Sequence, residues 1–104
     1  MDELTGTWTS NDNGTYYIRQ NGDIIWWFGR DTKRDREDEA YYSNVFRGKR
    51  TADIIEGQWS DVPFGNTMGF GEIKIEIKRD NNNNVILSRI SHTGGFGGSV
   101  WEKL

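Results

Sequence analysis

The side chains able to do chemistry are few in this sequence, and they are scattered. His92 is the single histidine, and there is no cysteine. One imidazole without a thiol partner makes neither a histidine-rich metal site nor a Cys–His pair. Its place at the end of a strand-like run, beside a glycine-rich stretch, reads as a surface position. Asp53 and Asp61 fall on one face of an extended segment, but roughly 26 Å apart along a strand. That is too far for two carboxylates sharing acid–base work. Gly94-Gly95-Phe96-Gly97-Gly98 could cradle a phosphate through its amides, but it leads into a strand and lacks the help of a helix terminus. A connecting loop is the simpler reading. No catalytic residue, metal ligand or cofactor motif stands out, and a non-enzymatic protein is expected.

The totals narrow the class further. A chain of 104 residues with 34% hydrophobic residues supports one modest core, hence one domain over residues 1–104. Five Trp, four Tyr and five Phe beside 13 Gly suit a small all-β protein with few but large core residues. A net charge of −3 and a pI near 5.1 argue against a nucleic-acid partner. No apolar run approaches the ~20 residues of a membrane helix. The opening MDELTGTW is acidic where a signal peptide needs basic and then apolar residues. A soluble cytoplasmic protein is therefore expected, unless a leader is missing from the sequence.

The elements that must position any site read as strands throughout. Asp23 to Gly29, DIIWWFG, is rich in residues that favour a pleated surface, and Asn21-Gly22 before it signals a two-residue hairpin. Alternation puts Ile24, Trp26 and Phe28 on one face and Ile25 and Trp27 on the other. Both faces are apolar, so both need cover. Leu4 to Ser10 and Thr15 to Gln20 precede this strand, with Trp8 inward. Arg30 to Glu39 carries four basic and five acidic residues and reads as a solvated loop.

Tyr41 to Gly48 and Thr51 to Val62 follow, the latter with Ile55 and Trp59 on its inner face. Gly69 to Lys78 alternates most cleanly: Ile73, Ile75 and Ile77 inward, Glu72, Lys74 and Glu76 outward. DNNNN at 80–84 is a turn. Val85 to His92 and Ser99 to Leu104 complete eight strands, with Trp101 inward. Eight short antiparallel strands in series predict an up-and-down barrel, which closes on itself and leaves no sheet edge. A two-sheet β-sandwich is the alternative.

Gly6 and Trp8 as G-x-W in the first strand, the meander and the aromatic last strand resemble the calycins, the lipocalin and avidin-type barrels. Ile55 to Pro63, IEGQWSDVP, is similar to an avidin-type strand. The fuller set GTW, GTYYIRQ, WWFG, SNVF, GQWSDVP and TGGFGGSVW resembles a small bacterial domain of uncharacterised function. The resemblance implies a closed barrel with a site at its open end. The avidin biotin-binding residues do not map position by position, so biotin is not implied.

Phase decides the interior. The second strand turns in either Tyr16 and Ile18, or Thr15, Tyr17 and Arg19, and the avidin-type pattern favours the second set. On the fourth, Tyr42, Asn44 and Phe46 go in together; on the seventh, Arg89 accompanies Val85 and Leu87. Buried charge needs a partner, and Asp53 or Asp61 could serve Arg19 or Arg89, closing a barrel end. An indole beneath Arg89 is what the calycin resemblance would allow. The functional counterpart is a polar-aromatic ligand pocket lined by Tyr17, Trp26, Asn44, Trp59 and Arg89. The expected function is non-covalent binding of a small aromatic or sugar-like ligand at one barrel end. An interaction or homo-oligomerisation module is the alternative, its interface built on outward Ile25 and Trp27.

Overall fold

The computed structural model describes residues 3–32 and 41–104. Eight antiparallel strands follow one another around a closed barrel: β1 (Gly6–Ser10), β2 (Gly14–Asn21), β3 (Ile24–Asp31), β4 (Ser43–Thr51), β5 (Ile54–Asp61), β6 (Phe70–Arg79), β7 (Val85–His92) and β8 (Val100–Lys103). Pairing of Trp8 with Lys103 and Ser10 with Trp101 joins β1 to β8 and closes the wall. The up-and-down barrel expected from the strand pattern is the fold. Most of the charged run Arg30 to Glu39 lies outside the described residues.

Connection lengths alternate, and this gives the barrel two different ends. At the turn end, Asn21 pairs with Ile24, so the hairpin turn is Gly22-Asp23, one residue beyond the expected Asn21-Gly22. Of these two, Gly22 alone takes positive φ, at 64°. Ala52-Asp53 joins β4 to β5. In the 80–84 turn the Asp80 carboxylate accepts from the amides of Asn82 and Asn84, both at 2.9 Å. Leu4, fully buried, plugs this end, its carbonyl accepting from Trp8 Nε1 at 2.9 Å. Arg50, also buried, donates to Ala52 O at 3.0 Å and Gln20 Oε1 at 3.1 Å. At the loop end stand the connections 11–13, 62–69 and 93–99, together with Thr32, Tyr41 and Tyr42, the described residues between β3 and β4.

The interior is filled by Trp8, Tyr16, Trp27, Phe46, Trp59, Phe96 and Trp101 with a column of aliphatics including Ile73, Ile75, Ile77 and Leu87. A buried aromatic of this size contributes about 4–6 kcal/mol of gross hydrophobic free energy before ordering costs. The expected inward sets of β4, β5, β6 and β8 are observed.

The phase of β3 is the reverse of expectation, and β2 takes the first of its two alternatives rather than the one the avidin-type pattern favours. Tyr16 and Ile18 point in, while Thr15, Tyr17 and Arg19 point outward. Ile25 and Trp27 are core, while Trp26 and Phe28 are exposed. Register carries the reason: Trp27 pairs with Ile18 on one side and Phe46 on the other, and cross-strand partners share a face. Ile25 and Trp27 therefore cannot form the exposed interface anticipated for them. In β7 a bulge opposite Lys74 and Ile75 leaves Ile90 out of the pairing and sets Arg89 beside Ile75.

Candidate functional site

The loop end is not sealed flush. A cleft of about 420 Å³ lies there, between the connections following β1, β3, β5 and β7. Asp12, Tyr42, Asn44, Trp59, Asp61 and Thr67 line it, with the backbone of Gly94 to Gly97. Beneath it Phe96, buried, enters the barrel. Its ring meets Trp59 edge-on at 4.9 Å and lies 6.0 Å from Trp101 and 6.1 Å from Trp27.

The Phe96 loop is tied down rather than loose. Arg89 donates to Phe96 O at 2.5 Å and Gly98 O at 2.8 Å. Trp59 Nε1 donates to Thr93 O at 3.1 Å. Gly94 and Gly95 both take φ of 80°, which turns the chain back into the barrel. Arg89 thus finds its partners in carbonyls. Asp61 accepts instead from the Gly69 amide at 2.9 Å and closes the 62–68 loop. Ser43 ties the same loop to β4 by donating to Val62 O at 2.7 Å and accepting from Gly65 N at 2.8 Å. No pair forms between Arg19 or Arg89 and Asp53 or Asp61: backbone groups at the loop bases take the Arg89 and Asp61 side chains, and Arg19 faces outward.

On the opposite wall Asp12 accepts from Gly14 N at 3.0 Å and from the Tyr16 hydroxyl at 2.5 Å. The Tyr42 hydroxyl stands 3.4 Å from that of Tyr16. Burial, and after it the charge of Asp12, raises both phenols well above the ordinary tyrosine range, so both stay protonated at neutral pH. Gly14 makes this approach feasible, since a Cβ there would sit 1.8 Å from the Tyr42 hydroxyl oxygen.

One polar side-chain atom on this cleft, Thr67 Oγ1, is buried with no hydrogen-bond partner among the described residues. Asn44 is only 2% exposed, and its Oδ1 accepts from Trp27 Nε1 at 2.8 Å. The carboxylates of Asp12 and Asp61 set the electrostatics. They oppose an anion, so the glycine-rich loop beside them is poorly suited to cradle phosphate.

Of the five residues expected to bind ligand, Asn44 and Trp59 reach the cleft. Arg89 supports it from below. Tyr17 and Trp26 stand on the outer wall, which corrects their assignment. Asp12 and Thr67 were missed by sequence reasoning. For Asp12 the available signal was a carboxylate two residues before a turn glycine, at the end where the long connections gather. Thr67 carries no such signal. Among the described residues no helix is long and apolar enough to cross a membrane. Comparison with known proteins finds no matching family model, and no significant match among curated proteins or solved structures.

Proposed function

We propose that this chain is a calycin-like binding barrel that takes a small, hydroxyl-rich, sugar-like ligand non-covalently in the loop-end cleft. The observation that carries this reading is Thr67 Oγ1, buried without a partner on the cleft wall, with the Asn44 side-chain amide lining the same cleft. A buried polar group left unpaired costs about 1–3 kcal/mol. A ligand hydroxyl, which donates and accepts at once, relieves that cost.

The remaining lining fits the same chemistry. Asp12 and Asp61 accept from ligand hydroxyls, Tyr42 is a protonated phenol, and Trp59 offers an apolar edge. A volume of about 420 Å³ suits one sugar ring rather than an oligomer, near the lower end of the ~300–1,000 Å³ typical of ligand sites. The packed interior below confines the ligand to the mouth.

Thermal unfolding with a panel of monosaccharides and cyclitols at millimolar concentration tests the reading. A ligand at 100 times its Kd stabilises by about 2.7 kcal/mol, which a melting curve resolves easily. Thr67→Val removes the hydroxyl while conserving shape, and it should abolish the shift. No shift with any member of the panel, or a shift unchanged in Thr67→Val, would sink the proposal.

A further inference from the structure

A larger groove, about 980 Å³, lies outside the barrel across β3 to β6. Its ends are aromatic: Trp26, 46% exposed, on β3, and Phe70, 74% exposed, at the start of β6. Val45, Arg47, Gln58 and Glu72 line the space between. Register sets their order, since Trp26 pairs with Arg47, Arg47 with Gln58, and Gln58 with Glu72. One row nearer the loop end, Phe28, Val45, Ser60 and Phe70 run in parallel. Three strand spacings, about 14 Å, separate β3 from β6. The aromatics thus bracket a site longer than one ring. The Arg47 guanidinium lies 5.4 Å from the centre of the Trp26 ring and holds the indole in place.

An exposed apolar patch of this kind marks a binding surface, and the polar groups within it select the occupant. The wall is closed, so a peptide cannot add as a strand. In one row Arg47 only donates, Glu72 only accepts, and Gln58 does both. A proline-rich segment, the usual guest of aromatic grooves, offers few donors and would leave Glu72 unmatched. Sugar hydroxyls do both, and pyranose rings present apolar C–H faces to exposed aromatic rings.

We propose that this outer wall binds a linear neutral oligosaccharide. Its rings lie against Trp26 and Phe70, and its hydroxyl edges meet Arg47, Gln58 and Glu72. None of these side chains lines the loop-end cleft, and the two sites share only Trp59.

Native gel electrophoresis through gels containing soluble β-glucan, xylan, glucomannan or glycol chitin tests it. The wild-type chain should be retarded by at least one polymer. Trp26→Ala should weaken that affinity at least about tenfold, and Glu72→Ala should weaken it as well. Thr67→Val, in the loop-end cleft, should leave the retardation unchanged. Phe70→Ala provides a second exposed aromatic variant should Trp26→Ala fail to fold. Migration unaffected by every polymer would overturn the proposal, as would retardation insensitive to both aromatic variants. A wild-type dimer in sedimentation that Trp26→Ala dissociates would also overturn it, by assigning the wall to a second copy of the chain.

Discussion

Trp27 Nε1 donates to Asn44 Oδ1 at 2.8 Å inside the barrel, and both residues are buried. This bond joins β3 to β4 through their side chains and satisfies the one polar atom of an indole packed 4.2 Å from Phe46. It also orients the Asn44 amide at the floor of the loop-end cleft. Asn44→Ala should cost about 1–3 kcal/mol in a denaturant titration, since it strands a buried N–H. Trp27→Ser should cost more still. Trp26→Ser, on the solvent side, should stay within about 1 kcal/mol. Equal costs for the two tryptophan changes would mean that the phase of β3 is wrong.

The β4–β5 pair depends on a glycine contact. A Cβ on Gly57 would meet Arg47 O at 2.1 Å and Gly48 Cα at 2.4 Å, both backbone atoms that cannot swing aside. Gly57→Ala is therefore expected to destabilise by about 1–3 kcal/mol or more. Gly97→Ala, where an added Cβ meets nothing within 4 Å, should be nearly neutral. Matched melting temperatures for the two variants would contradict this.

Arg89 holds the Phe96 loop through two carbonyls. In Arg89→Met both bonds are lost while the aliphatic stem is kept, and stability should fall by about 1–3 kcal/mol. Amide hydrogen exchange should quicken across 93–99 well before it changes in β6. Unchanged protection of that loop would show that Phe96 packing alone secures it.

The buried phenols predict a loss of stability in alkali. Burial raises the Tyr16 and Tyr42 pKa values in the folded state, so above about pH 10 the unfolded chain releases protons that the native chain retains. Their contribution is complete below pH 10 and declines as pH rises beyond it. Melting temperature followed from pH 8 to 11 should fall at the upper end. Tyr16→Phe should flatten that fall while lowering stability near neutrality through loss of the bond to Asp12. A wild-type profile flat to pH 11 would refute the assignment.

Eight strands, their order and their antiparallel meander were legible in the sequence because turn signals and alternation recur along it. β6 shows why: Glu72, Lys74 and Glu76 alternate with Ile73, Ile75 and Ile77, so only one phase buries apolar surface without burying charge. DIIWWFG has no such contrast. Both of its faces are apolar, and a one-residue slip exchanges Trp26 for Trp27 at little local cost. Only the neighbours settled that choice, through the pairing of Trp27 with Phe46 and the acceptor that Asn44 supplies. The phase of β2 followed, because Tyr16 and Ile18 share the wall with Trp8 and Trp27. The loop-end cleft was likewise decided by tertiary structure. Asp12, Asn44 and the Asp61–Thr67 segment stand far apart along the chain and meet only where barrel closure brings these connections to one end.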